Sequence, residues 1–251
     1  MNYEILCKNN LVVNSKFGPI VVNKKDTIIS NAIINYGYYN LGDIEDINYL
    51  INEKLKEKSK CCLYDIGANI GTYSLGFSKT FNERIFIRAF EPQKFLFDMM
   101  SQTFTLNKLS NIKSYRMAVS KKDEEVKVKL PNYNKANNLG AFKIKNQDNN
   151  IDYSSNYDYI KTTTIDKFDE EIDFIKIDVE GMEEDVLIGA KKTIALSRPI
   201  CFIELTHSNE DYIYNIFKEL DYNILKKRND GFFIPKDSKI LIPPNKLKKI
   251  N

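Results

Sequence analysis

The chain has 251 residues, 43% of them apolar, with 37 basic and 34 acidic residues and a formal charge of +3. That length and apolar content suit one α/β domain with additions, or two small domains at most. The near-neutral balance excludes a general electrostatic case for nucleic acid or a membrane surface as partner, and the late clusters Lys226-Lys227-Arg228 and Lys246, Lys248, Lys249 read as solvated lysines.

Taken in chain order, "MNYEILCKNN" lacks the apolar run of a signal peptide. No window anywhere approaches ~18 uninterrupted apolar residues, so no membrane span is expected. Residues 1–24 read as a β-hairpin, with the β-branched runs "EILCKNNLVV" and "GPIVV" around Asn14, Ser15 and Gly18. A turn-rich aromatic stretch, "NYGYYNLGD", follows. Asp43 then opens an amphipathic helix with Ile44, Ile47, Ile51 and Leu55 on one face. Residues 1–59 are thus expected to form a hairpin and helix packed on a core unit spanning 60–251.

From residue 61 strands and helices alternate. "CCLYDI" is a buried strand, and a short helix starts at about Gly71. "RIFIRAFE" is the second strand, and Pro92 is expected at the first position of a helix that buries Phe95, Leu96, Met99 and Met100. "NIKSYRMAV" is the third strand. "IDFIKIDV" is followed by a helix from Gly181 to about Leu196, with Val186, Ala190 and Ile194 inward. After the strand "PICFIEL", Ser208 and Asp211 resemble a capping box ahead of Ile213, Ile216, Phe217 and Leu220. "YNILKKR" and "FFIPKDSKILI" are the last strands. This alternation implies a mostly parallel sheet with helices on both faces. It breaks at about 121–165, where "VKVKL" reads as a strand and the Asn- and Tyr-rich remainder as an insertion with hairpin character over the sheet edge. The four cysteines, Cys7, Cys61, Cys62 and Cys201, form no C-x-x-C pair. Reduced thiols and a cytoplasmic location are expected.

The chemistry starts at "LYDIGANIGTYS". A dinucleotide-binding turn needs G-x-G-x-x-G. Counted from Gly67, the other two glycine positions hold Asn69 and Thr72, and the pattern is Asp65, Gly67, Asn69, Gly71. Such a loop still cups a ligand between a buried strand and a helix start, but without the glycine that suits a pyrophosphate. An adenosyl ligand with a methionine tail fits better: its carboxylate can accept N–H bonds at the loop and helix start, and Asp65 is placed for its ammonium. Ala68 and Ser74 belong to the same cradle. Glu91, twenty residues after Gly71 and at the end of "IFIRAFE", is placed to accept hydrogen bonds from both ribose hydroxyls, with Pro92 beside it.

In "FIKIDVEGME", Lys176, Asp178 and Glu180 alternate and share one side of a strand. A lysine in an apolar strand needs a partner, and Asp178 is within its reach. Glu183, Glu184 and Asp185 read as surface carboxylates that complement a helix dipole.

"YDIGANIGTYSL", "AFEPQKF", "NLGAF", "FIKIDVEGMEEDVLIGA" and "RPICFIEL" together resemble the FkbM family of S-adenosylmethionine-dependent methyltransferases, from about residue 60 to 225. The resemblance implies a class I methyltransferase (Rossmann-like) sheet of seven strands, the last antiparallel, and methyl transfer, usually to a hydroxyl on a sugar or natural product. It places Gly67, Asn69 and Gly71 at the methionine end, Glu91 at the ribose, and Met117 and Ala118 beside the adenine. The candidates for proton acceptance are Asp178, Glu180 and His207, the only histidine, with the carboxylates preferred. Tyr36, Tyr38, Asn137 and Asn138 are expected to contact the acceptor, since Tyr stacks on sugar faces and Asn offers adaptable polar contacts. Carboxylates suit Mg²⁺, yet no tight ligand cluster is evident, and no metal ligand is assigned. Two rival readings are an RNA or protein methyltransferase, which would need a basic stripe beside the pocket, and an inert cofactor-binding domain, which need not keep the loop and Glu91.

Overall fold

The computed structural model describes residues 9–145, 151–240 and the backbone of 248–250. The central sheet has the order β5-β4-β3-β9-β10-β12-β11-β13. Five strands run parallel: β3 (Cys61–Ile66), β4 (Ile85–Phe90), β5 (Ile112–Tyr115), β9 (Phe174–Ile177) and β10 (Ile200–Glu204). β12 (Asp230–Pro235) inserts antiparallel between β10 and β11 (Tyr222–Lys227). That is the class I methyltransferase arrangement of seven strands, the last of them antiparallel. A short β13 (Lys248–Ile250) pairs with β11 as an eighth strand that the sequence pattern did not suggest.

Helices cover both faces, and their apolar stripes make two cores. One face packs Ile66, Ile175, Ile177, Val186, Ile203 and Phe217. The other packs Leu63, Phe77, Ile87 and Phe202 against Ile44, Ile47 and Ile51 of α2 (Leu41–Lys54). α2 begins two residues before Asp43, with Asn40 as its N-cap. The hairpin is β1 (Asn10–Ser15) and β2 (Gly18–Asn23); the residues of "EILCK" lie outside the described ones. The sequence reading passed over α1 (Ile29–Tyr36), which ends on the left-handed Gly37. Hairpin and α1 pack on Leu96 and Met99 of α4 (Lys94–Leu106).

Four boundaries differ from the sequence reading. Pro92 precedes α4, whose N-cap is Gln93. "NIKSYRMAV" divides: after β5 the chain leaves the main sheet, and β6 (Ala118–Val119) joins a separate one. The helix expected over 181–196 is two, α5 (Glu183–Ile188) and α6 (Lys191–Ser197). They break at Gly189, where an added Cβ would lie 2.1 Å from the Ser120 carbonyl. The cap of α7 (Glu210–Glu219) is Asn209, whose side chain accepts from the Tyr212 N–H at 3.2 Å. Ser208 instead donates to Glu183 at 2.8 Å.

The insertion has the hairpin character expected. β7 (Glu125–Pro131) pairs antiparallel with β8 (Tyr153–Thr163), and β8 pairs with β6. Within the connection between β7 and β8, Asn138, Gly140, Phe142 and Ile144 reach the carboxyl edge of the main sheet. Asn137 pins this connection to the N-terminal segment: its N–H donates to the Lys25 carbonyl at 2.9 Å, and its carbonyl accepts from Thr27 at 2.9 Å. Among the described residues, no helix is long and apolar enough to cross a membrane.

Candidate active site

At the carboxyl ends of β3, β4, β9 and β10 lies a cavity of about 270 Å³. Ligands in open α/β sheets bind at this edge. One end is lined by Gly67, Ala68, Asn69, Glu91, Pro92, Met117 and Ala118, and the other by Asp178, Glu180, Glu204, Arg228 and Asp230. Tyr39, Asn40 and Asp43 from the N-terminal segment, and Asn138, Gly140 and Phe142 from the insertion, form the walls over it.

The first end is set by the turn after β3. Gly67 (φ +76°), Asn69 (φ +54°) and Gly71 (φ +86°) all adopt left-handed backbone, which Asn tolerates better than other side chains. That explains an asparagine where a dinucleotide turn has glycine. At Gly67 the reason is also steric: a Cβ would lie 1.8 Å from the Asp178 carbonyl oxygen. The loop's N–H groups are largely spent internally. Gly67 and Ala68 donate to the Phe90 carbonyl, Gly71 to Ala68, Ile70 to the Asn69 side chain and Asn69 to Glu91. The donors left for a carboxylate are at the start of α3 (Thr72–Phe81), where Thr72 lines the cavity and the first-turn N–H groups have no intrahelical acceptor. The sequence reading named the helix start but not Thr72.

Glu91 is buried and holds the turn and the start of α4 together. Its two oxygens accept from the Asn69 N–H at 3.0 Å and the Gln93 N–H at 2.8 Å. Burial pushes its carboxyl up to about 7, against those two hydrogen bonds, which favour the ionised form. A carboxylate has lone pairs left after two such bonds. Phe90, Met117, Ala118 and Val119 add an apolar wall beside it.

At the cavity floor, Lys176, which lines it, and Asp65, which does not, are direct partners in the β3–β9 register. Both are buried, with Lys176 Nζ 3.2 Å from Asp65 Oδ1. Burial works against the Lys176 charge, yet Asp65 and Asp178 outweigh it and hold the ammonium above its ordinary value. The Ser74 hydroxyl takes the other Asp65 oxygen at 2.6 Å. Asp65, Gly71 and Ser74 therefore do not line the cavity; they hold its floor. Asp178, 3.5 Å from Lys176, is the carboxylate of this set that reaches the cavity, with 35% of its side chain exposed.

At the other end Asp178, Glu180 and Glu204 bring carboxylate oxygens within 4.8 Å of one another. Such a set has the ligand chemistry of a divalent cation. It corrects the expectation that no tight cluster forms. The third member, Glu204, comes from β10, so linear spacing gave no sign of it. Burial, with Asp178 and Glu204 nearby, pushes Glu180 up to about 8. Burial and Asp178 push Glu204 to about 7, and burial with Asp43 and Glu204 does the same to Asp230. Glu180 is itself left-handed (φ +55°). The turn is latched by Glu183, buried rather than on the surface as expected, which accepts from the Val179 and Gly181 N–H groups at 3.2 Å each. Asp185, expected on the surface as a dipole complement, pairs with Lys121 and Lys145.

The four acceptor residues named from sequence separate. Asn138 lines the cavity. Asn137 is buried in the backbone clasp described above, its side chain donating to the Asp152 carbonyl at 3.0 Å. Tyr36 and Tyr38 are exposed and outside the cavity, while their neighbour Tyr39 faces it. His207 is exposed and also outside, with Nε2 3.5 Å from Glu180 Oε2.

Residues 65–232, more than half of the chain, match the model of the methyltransferase FkbM domain. The chain belongs to the FkbM methyltransferase family. Among solved structures it is similar to methyltransferase FkbM from Methylobacillus flagellatus KT, at 20% identity and a TM-score of 0.52. That match covers 70% of this chain and 44% of the other, so the chain spans less than half the length of that FkbM protein. Precorrin-6y C5,15-methyltransferase from Geobacter metallireducens GS-15 matches at 11% identity and a TM-score of 0.42, over 75% of this chain and 85% of its own. A SAM dependent methyltransferase from Aquifex aeolicus matches at 15% and 0.39, over 78% and 98%. No curated protein matches the chain.

Proposed function

We propose that this FkbM-family chain transfers a methyl group from S-adenosyl-L-methionine to a hydroxyl of a sugar, glycan or natural-product acceptor. The observation that carries the reading is a single cavity with a buried ribose-type acid, Glu91, at one end and three converging carboxylates at the other. The residues present fit the cofactor. Glu91 keeps lone pairs for two hydroxyls, Phe90, Met117, Ala118 and Val119 suit a flat apolar ring, the start of α3 at Thr72 suits a carboxylate, and Asp178 suits an ammonium.

When bound, S-adenosylmethionine supplies an already activated sulfonium methyl. The protein's work is then alignment, holding an acceptor oxygen and the methyl about 3–3.5 Å apart, and proton removal from a poorly acidic hydroxyl. Glu180 and Glu204 serve the second task. Burial, with Asp178 nearby, raises their affinity for a proton into the range useful near neutral pH. Tyr39 and Asn138 form the acceptor wall, and Phe142 excludes water from above. Free thiols at Cys61, Cys62 and Cys201 support a cytoplasmic setting.

The test is transfer of labelled methyl from S-adenosylmethionine to glycan, small-molecule, lipid, protein and RNA fractions extracted in parallel. Label in the glycan or small-molecule fraction is expected. Label confined to RNA, or to the protein fraction, would replace the acceptor class.

A further inference from the structure

Lys176 is 1% exposed and sits where three elements meet. Its Nζ donates to the Gly67 carbonyl at 2.8 Å, lies 3.2 Å from Asp65 Oδ1 and 3.5 Å from Asp178 Oδ2, and lies 5.0 Å from the centre of the Tyr73 ring in the first turn of α3. The Gly67 carbonyl takes one of its N–H donors, and the two carboxylates flank the ammonium as ion-pair partners. The arrangement decides what remains for a ligand. The Gly67 carbonyl is turned down onto Lys176. Asp65 is fully buried and shared between Lys176 and Ser74. Of the two carboxylates beside Lys176, Asp178 is the one that lines the cavity, with one oxygen on the Lys176 side.

We propose that Lys176 is the positioning residue for the amino-acid tail of the cofactor. It borders the cavity but is 1% exposed, and it acts by fixing the glycine turn from beneath and aiming Asp178 at the ligand ammonium. The proposal rests on the S-adenosylmethionine reading and adds a specific split. The adenosine half is assigned to Glu91, Met117 and Ala118, with which Lys176 makes no hydrogen bond or ion pair; its charge reaches Glu91 only as a lesser influence behind burial and the two N–H bonds. Lys176 should therefore govern ligands that carry the tail and leave alone those that lack it.

The test is calorimetric binding of S-adenosylhomocysteine, which has the tail, and of 5′-methylthioadenosine, which has the same adenosyl half and no tail. Lys176→Met leaves Asp65 buried without its cation, which is strongly destabilising. Lys176→Met with Asp65→Asn removes both charges and is measured beside it, together with Lys176→Arg. Affinity of the double variant for S-adenosylhomocysteine should fall roughly ten- to a hundred-fold, the cost of a misplaced charged hydrogen bond. Affinity for 5′-methylthioadenosine should stay within about two-fold, and Lys176→Arg should recover part of the loss. Equal loss for both ligands would mean a merely structural lysine and overturn the proposal, as would no loss for either. A wild-type protein that binds neither ligand would overturn the cofactor reading itself.

Discussion

Glu180 Oε2 and His207 Nε2 lie 3.5 Å apart, and it is the carboxylate that faces the cavity. His207 stands behind it, on the exposed turn after β10. A proton acceptor must reach the acceptor hydroxyl, and the imidazole reaches only the acid. Glu180→Gln is expected to lower the single-turnover methylation rate by ~10²-fold with cofactor bound normally. His207→Gln should cost less than ~10-fold. A dead His207→Gln beside an active Glu180→Gln would reverse the assignment.

Glu91 is expected to anchor the ribose. Its removal takes away a buried charged acceptor and leaves the Asn69 and Gln93 N–H groups without their partner. Glu91→Ala should weaken S-adenosylmethionine by about 1.5–3 kcal/mol, roughly ten- to a hundred-fold. Calorimetry measures it, and unchanged affinity would remove the anchor role.

Tyr39, which follows two exposed tyrosines, Tyr36 and Tyr38, is the one aromatic of its stretch on the cavity wall. Burial, with Asp178 and Glu204 nearby, raises its hydroxyl to about 12, so it acts as a hydrogen-bond donor. Tyr39→Phe should lower acceptor turnover by about ten-fold with S-adenosylmethionine affinity unchanged, and Tyr36→Ala should do neither. Parallel binding and turnover assays separate the two. Equal effects of both substitutions would remove the acceptor wall.

The alternation of apolar strands with amphipathic helices was legible from residue 61 onward because both periods are local. So were Gly67, Asn69 and Glu91, since each sits at a strand end where the period stops. What was not legible depended on contacts between distant segments. The α5–α6 break falls at Gly189, where the Ser120 carbonyl, far away in sequence, leaves no room for a side chain. Glu183 looked like a surface acid because nothing local marks the Val179–Gly181 turn it closes. Asp65 was expected at the ligand, but its strand neighbour Lys176 takes it. The choice of Tyr39 over Tyr36 and Tyr38 depends on α1, whose end at Gly37 sets which ring turns inward.

Gly67 is expected to tolerate no side chain. Its φ of +76° is strained for any residue with a Cβ, and the Asp178 carbonyl would lie 1.8 Å away. Gly67→Ala should cost about 1–3 kcal/mol for the backbone strain, with the displacement of Asp178 adding to it. Chemical denaturation with an unchanged slope measures this. A loss under ~0.5 kcal/mol would show that the turn relaxes freely.

The acid-lined cavity makes stability depend on pH in a defined direction. Glu91, Glu204 and Asp230 are pushed up to about 7 and Glu180 to about 8, in each case mainly by burial. Unfolded, such groups titrate near ~4. Each folded-state value is thus raised, and the folded protein binds the proton more tightly than the unfolded chain does. The stabilising contribution is full below about pH 4 and is lost as pH rises through about 7 to 8. Between pH 5.5 and 8.5 the ligand-free protein should therefore melt at progressively lower temperature, and Glu180→Gln should flatten the upper part of that decline. Cofactor affinity should run the other way, because ribose hydroxyls donate to an ionised Glu91. S-adenosylmethionine should bind more tightly at pH 8 than at pH 6, and Glu91→Gln should abolish the trend. Differential scanning fluorimetry across the range, with and without ligand, reads both slopes. A melting temperature that is flat or rises with pH in the ligand-free protein would mean that folding does not raise the proton affinity of these carboxylates.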